Sequence, residues 1–155
     1  MRRGVRLALD VGSVRIGVAF CDADGIMALP LSTIAFSADA VHEIAAIVSE
    51  YEAIAVYVGK PINLAGVDTK STTLAIDFAR NLATIVDDPA ISIRMIDERL
   101  STVSAHRDLH SAGRNTKNSK DIIDQAAAVI ILEQALDSEK RQGDLVGEPV
   151  ESAHE

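Results

Sequence analysis

The fold is decided by one apolar stretch, AIAVYV at residues 53–58, which ends at Gly59. A short and nearly continuous apolar run closed by glycine is typical of a strand that is buried on both faces of a parallel sheet. Apolar residues at helical spacing precede the stretch over 41–51 and follow it over 74–85. This order predicts parallel strands that are joined by crossover helices.

The chain before this stretch predicts a different kind of strand pairing. Two alternating segments, at 5–10 and 15–20, are separated by a turn at 11–13, and a third extended segment covers 26–34. Strands separated this tightly favour antiparallel hairpins, so we expect a three-stranded meander. Pro30 predicts that the third strand lies at the edge of the sheet.

The chain after the apolar stretch adds one strand and two helices. Residues 91–96 predict a fifth strand, and a helix is expected from Ser101 or Thr102 to about Gly113. A polar, basic loop over 114–119 leads to a last helix at about 121–136, which is apolar on nearly all sides and should pack deep against the sheet. The order βββαβαβαα predicts a three-layer α/β sandwich, with a mixed five-stranded sheet and helices on both faces.

Length and composition predict one folded domain with an acidic tail. A chain of 155 residues is about one domain, which we place at residues 1–137. Residues 138–155 contain glycine, proline and several acids, and we expect them to be disordered. The longest apolar run is seven residues, and neither a signal peptide nor a cysteine pair is evident, so a cytoplasmic protein without membrane contact is expected.

The distribution of charge along the chain favours a nucleic-acid partner more than the net charge does. The chain carries a net charge of −8, which by itself argues against binding to phosphates. Between residues 99 and 120, however, five bases face a single acid: Arg99, Arg107, Arg114, Lys117 and Lys120 against Asp108. A solvated helix face and loop is the alternative explanation of such a stripe.

Three acids lie where packing alone would not place them. Asp10 and Glu98 each end an apolar strand, and Asp124 lies in the first turns of the most apolar helix. Functional groups gather at the carboxyl ends of strands in α/β sheets, and buried carboxylates need a cation or a hydrogen-bond donor. Convergence of the three acids would favour divalent cations with hard oxygen ligands, Mg²⁺ or Mn²⁺. A helix cap or a salt bridge is the alternative for any one of them.

Four blocks of the sequence resemble the YqgF/RuvX family. They are LDVGSVRIGVA at 9–19, VGKP at 58–61, DERLST at 97–102 and KDIIDQAAAVIIL at 120–132. The resemblance implies a ribonuclease-H-like fold and a pre-16S ribosomal RNA nuclease of ribosome maturation, related to Holliday-junction resolvases. It further implies that Asp10, Glu98 and Asp124 are catalytic and bind Mg²⁺ or Mn²⁺. The cations expected to contact substrate phosphates are Arg15, Lys60, Arg99, Arg114, Lys117 and Lys120; Lys60 stands where the family usually has an apolar residue.

Several functional alternatives stay open from the sequence. The runner-up is a Holliday-junction or other structure-selective DNA nuclease, because RNA and DNA are distinguished by 2′-hydroxyl contacts that leave no fixed motif. A non-catalytic RNA-binding module of ribosome assembly or transcription is a third possibility. The LDVGS motif also matches the first phosphate loop of actin-like and sugar-kinase ATPases, but those need two such domains. A monomer and a homodimer are both compatible with the resemblance.

Overall fold

The computed structural model describes residues 2–61, 69–98 and 117–151, and for 117–122 it describes the backbone alone. Six strands and three helices lie within these ranges. The strands are β1 (Arg6–Val11), β2 (Arg15–Cys21), β3 (Ala28–Ala35), β4 (Ala55–Lys60), β5 (Ser92–Asp97) and β6 (Glu148–Pro149). The helices are α1 (Ala40–Glu50), α2 (Lys70–Val86) and α3 (Lys117–Gln142).

The strands form one mixed sheet in the order β3-β2-β1-β4-β5-β6. β1, β2 and β3 pair antiparallel, and β4 and β5 continue parallel to β1. The predicted meander and the predicted parallel strands are both confirmed. Pro30 lies in β3 at the edge, as expected, and the register of β3 on β2 shifts beside it, between Val18 and Ala19.

The two faces of the sheet are covered by different helices. Alternate residues of β1 divide between two cores: Leu7 and Leu9 pack on the side of α1 and α2, whereas Ala8 packs on the side of α3. Such alternation follows from the two-residue period of a strand. The chain therefore forms the predicted three-layer α/β sandwich with helices on both faces.

The acidic C-terminal segment differs from its prediction. Disorder was expected from residue 138, but α3 continues to Gln142, and β6 pairs antiparallel with β5 as a sixth strand. The physical reason is the burial of two side chains, which the acidic composition of the segment does not predict. Glu139 is fully buried against the Arg6 guanidinium, and Val146 is 7% exposed in the core below α3. Residues 152–155 lie outside the described residues.

The predictions for the basic region are tested only at its end. The helix expected up to Gly113 lies outside the described residues, as does the part of the basic loop before Lys117. The last helix begins at Lys117 rather than near Asp121, so the end of the expected loop is helical. Among the described helices, none combines the length and the apolar character needed to cross a membrane.

Candidate active site

Asp10 lies next to the last residue of β1, and alternation along the strand places its side chain on the α3 face. It is only 5% exposed. Asp10 pairs with Gly17 of β2, and Leu9 pairs with Val58 of β4, so the same register continued by one residue brings Gly59 beside Asp10. The acid is thus flanked by glycine on both neighbouring strands.

Gly17 allows the start of α3 to touch the sheet. A methyl group at Gly17 would overlap the backbone carbonyl oxygen of Asp124 and would lie 3.0 Å from the Gln125 nitrogen. One further contact fixes the helix there, because Gln125 Nε2 donates a 2.9 Å hydrogen bond to Thr33 Oγ1 of β3. Asp124 is therefore held above the strand that neighbours Asp10.

Gly59 likewise allows the Glu98 side chain to lie close against the sheet. A methyl group at Gly59 would lie 2.5 Å from Glu98 Oε1 and 2.6 Å from Ile131 Cδ1 of α3. Glu98 follows β5 directly and is 3% exposed. Burial, and secondarily the negative charge of Asp97, raise the pKa of Glu98 to about 7. A cation beside this carboxyl group would favour its ionised form.

The structure thus brings the three predicted acids to one end of one sheet face. Asp10 occupies the centre, Glu98 lies over Gly59, and the backbone of Asp124, in the early turns of α3, lies over Gly17. Their catalytic and metal-binding roles stay predictions. We refer to the two flanking glycines, Gly17 and Gly59, as the glycine pair.

The donor set fits a hard divalent cation. Carboxylate oxygens are the ligands that Mg²⁺ and Mn²⁺ prefer, and the two buried acids need positive charge nearby. In the ranges that the structure describes, no three side chains of His, Cys, Asp or Glu are arranged closely enough to form a complete metal site. The cation beside Asp124 in the structure is the Arg15 guanidinium, whose Nε donates a 2.8 Å hydrogen bond to Asp124 Oδ2.

This Arg15–Asp124 ion pair is accessible to solvent. The Arg15 side chain is 31% exposed and the Asp124 side chain 20% exposed. Arg15 was predicted to contact substrate phosphate, and the structure places it against a predicted catalytic acid instead. A guanidinium binds carboxylate and phosphate oxygens with the same geometry, so one arginine can serve both partners in turn.

The other predicted phosphate contacts are located only in part. Lys60 ends β4, directly after Gly59, and its Nζ lies 3.6 Å from Glu148 Oε2 of β6. Arg99 and Arg114 lie outside the described residues. Lys117 and Lys120 belong to the first turns of α3, the helix that carries Asp124, but their side chains lie outside the description.

Sequence reasoning missed the residues that hold the acids in place. Gly17 and Gly59 were seen only as parts of blocks, and the Gln125–Thr33 hydrogen bond was not anticipated. The available signal was glycine inside an apolar strand, which often marks a close approach of another part of the chain. Only the register of the strands shows that both glycines flank the same acid.

Comparison with known proteins shows the family of the chain. The family model described as "RuvX: Holliday junction resolvase" matches residues 4–138. The chain belongs to the RuvX family. A protein of Leifsonia xyli subsp. xyli, named "Putative pre-16S rRNA nuclease", is 49% identical over 97% of both chains. A Streptomyces avermitilis protein of the same name is 45% identical over 97% of both chains.

Solved structures of RuvC resemble the fold of this RuvX-family chain. Thermus thermophilus RuvC, determined in complex with a Holliday junction substrate, superposes with a TM-score of 0.55 at 12% identity and covers 94% of this chain and 99% of that one. A second structure of RuvC from Thermus thermophilus gives a TM-score of 0.53 at 15% identity. This likeness confirms the expected ribonuclease-H-like fold.

Proposed function

We propose that this protein is a metal-dependent nuclease that hydrolyses phosphodiester bonds in ribosomal RNA precursors during 5′ maturation of pre-16S RNA. The observation that carries the proposal is the gathering of Asp10, Glu98 and Asp124 on one face, around the glycine pair. Relatives at 45–49% identity that are named for this activity support the choice of substrate.

The three acids would hold the cations, and the surrounding chain would keep them in position. Bound Mg²⁺ or Mn²⁺ would activate the attacking water and stabilise the leaving oxygen in the manner of two-metal nucleases. Asp10 and Glu98 are themselves almost inaccessible to solvent. Electrostatic interactions with these acids would be strong because they strengthen where water is excluded. No side-chain nucleophile is needed in this scheme.

The cations around the acids would position the substrate backbone. Arg15 would exchange its Asp124 partner for a substrate phosphate, and Lys60 would bind a phosphate at the neighbouring strand end. Arg99, Arg114, Lys117 and Lys120 keep the same expected role. Contacts of this kind fix register and orientation without reading sequence, so RNA structure would select the cleavage position.

The second candidate function is cleavage of branched DNA. It is favoured by the structural comparison, because almost the entire RuvC chain resembles this fold. That RuvC structure was determined with a Holliday junction substrate. The family description names the same activity. The ATPase alternative receives less support because such enzymes need two domains of this fold, and the pure binding module because it has no need to concentrate negative charge beside a phosphate backbone.

A cleavage assay with paired substrates tests the proposal. Precursor 16S RNA with its 5′ extension and a four-way DNA junction are each incubated with wild type, Asp10→Asn and Glu133→Gln in Mn²⁺ or Mg²⁺. Glu133 is an exposed acid on α3 and serves as the matched control. We expect wild type and Glu133→Gln to trim the RNA and Asp10→Asn to fail. Cleavage of the junction alone would favour the second candidate, and equal behaviour of all three proteins would contradict both.

A further inference from the structure

A cavity on the α2 side of the sheet lies beside the carboxyl ends of β4 and β5. Its volume is about 290 Å³, and it is lined by Lys60, Met95, the α2 residues Ile76 and Arg80, and the chain from Glu148 to Glu151. Lys60 directly follows Gly59, the residue on which Glu98 lies. The cavity therefore opens at the same end of the sheet as the three acids, on the opposite face.

The outer wall of this cavity is the C-terminal strap, which we define as residues 143–151. Main-chain hydrogen bonds tie the strap to β5, where Glu148 pairs with Met95 and the Val150 nitrogen donates to the Ile93 carbonyl at 2.8 Å. Arg94 Nη1 also donates to the carbonyl oxygens of Val146 and Gly147, at 3.3 and 3.2 Å. These contacts hold the strap backbone and leave its acidic side chains outside the core.

One of those acidic side chains neutralises Lys60. Glu148 Oε2 lies 3.6 Å from Lys60 Nζ, and the Glu148 side chain is 72% exposed whereas that of Lys60 is 21% exposed. Ion pairs of this exposed kind contribute little to stability, so an incoming anion can replace the carboxylate at small cost. A phosphodiester carries the same single negative charge and the same hard oxygen acceptors as the glutamate.

We propose that Lys60 and Arg80 form a phosphate subsite for the nucleic-acid substrate, and that Glu148 of the strap occupies it until substrate phosphate displaces the carboxylate. The inference rests on the proposed function, because it assigns the path of the same substrate beyond the acids. The strap backbone stays paired with β5, and only the Glu148 side chain moves. Glu148 thereby lowers the affinity for nucleic acid in a way that depends on Lys60.

Binding measured without cleavage tests this dependence. Fluorescence anisotropy in EDTA gives the Kd of a labelled 5′ leader RNA of pre-16S for wild type, Glu148→Gln, Lys60→Gln, Arg80→Gln and the Lys60→Gln/Glu148→Gln double variant. We expect Glu148→Gln to lower the Kd about two- to fivefold, the range of an exposed ion pair. Lys60→Gln and Arg80→Gln should raise it by similar factors, and the double variant should match Lys60→Gln alone.

Asp144→Asn is the matched control, because Asp144 is an exposed strap acid that pairs with Arg2 and does not line the cavity. It removes one negative charge without freeing Lys60. An unchanged Kd for Glu148→Gln, a decrease no larger than that of Asp144→Asn, or a decrease that persists beside Lys60→Gln would overturn the subsite. If wild type binds neither this RNA nor a DNA junction, the proposed function fails together with the subsite, whereas binding without the Glu148 effect refutes the subsite alone.

Discussion

Helix α3 is joined to the sheet by an arginine–carboxylate pair near each of its ends, and the two pairs differ in almost every respect. Towards its end, Glu139 receives Arg6 Nη2 and Nε at 2.9 and 3.2 Å, and both side chains are completely buried. Tyr57 donates a further 2.8 Å hydrogen bond to Glu139. Towards its beginning, Asp124 receives one 2.8 Å hydrogen bond from the part-exposed Arg15.

The difference separates a structural contact from an exchangeable one. Arg6 also donates to the carbonyl oxygens of Arg2 and Gly4, each at 2.5 Å, so the buried pair is closed to solvent and to any ligand. Asp124 and Arg15 keep access to water at the end where Asp10 and Glu98 lie. We conclude that the buried pair fixes where α3 lies, and that the accessible pair is the one that a ligand from solvent can reach.

The largest effect on stability is expected at the buried pair. Glu139→Gln leaves the Arg6 guanidinium buried without a counter-charge, and breaking such a pair costs about 3–5 kcal/mol of unfolding free energy. Urea denaturation measures the loss. Glu133→Gln, on the exposed side of the same helix, should change it by less than about 0.5 kcal/mol. Equal values for the two variants would contradict the structural role of Glu139.

Alanine substitutions in the glycine pair should lower stability to different extents but impair RNA cleavage in both cases. Gly17→Ala places a methyl group on the Asp124 carbonyl oxygen, a backbone atom that cannot turn away, and overpacking of this kind costs about 1–3 kcal/mol. Gly59→Ala meets only the ends of the Glu98 and Ile131 side chains, so we expect a smaller loss of stability. Both variants should cleave RNA poorly because they displace an acid. Normal cleavage by Gly59→Ala would show that Glu98 need not lie over the strand.

Glu98 should make the metal-free protein less stable as the pH rises. Its pKa of about 7 in the folded chain exceeds the ordinary value of 4.5, so the unfolded state releases this proton first. The free energy of unfolding therefore falls between about pH 4.5 and pH 7, by about 3 kcal/mol. Urea titrations in EDTA of wild type and Glu98→Gln should diverge over this range. Parallel curves would refute the raised pKa of the buried Glu98 carboxyl group.

The smallest effect on stability is expected at the accessible pair. Arg15→Gln removes an ion pair whose members are 31% and 20% exposed, and such pairs contribute about 0.2–1 kcal/mol. The affinity for RNA, measured by anisotropy in EDTA, should fall because the proposed contact of Arg15 with a substrate phosphate is lost. A loss of stability as large as that of Glu139→Gln would mean that the two ends of α3 do not differ in the way described.

The sheet and the positions of the acids follow from local sequence, but the contacts that unite them do not. Alternation and apolar runs predicted β1 to β5, and an acid at the end of an apolar strand singled out Asp10 and Glu98. The ordered C-terminal segment was missed because its composition is acidic, whereas Glu139 is neutralised by Arg6, 133 residues away. Likewise, the role of the glycine pair depends on strand register, which the sequence of each strand does not contain.

The difference between the two ends of α3 is tested most directly by the rate of RNA cleavage per folded molecule. Asp124→Asn and Glu139→Gln are compared at a temperature where circular dichroism shows that both proteins are folded. We expect Asp124→Asn to lose activity by about a hundredfold or more, as when a metal ligand is removed. Glu139→Gln should keep activity within a few-fold of wild type despite its lower stability. Wild-type cleavage by folded Asp124→Asn would contradict the proposed active site.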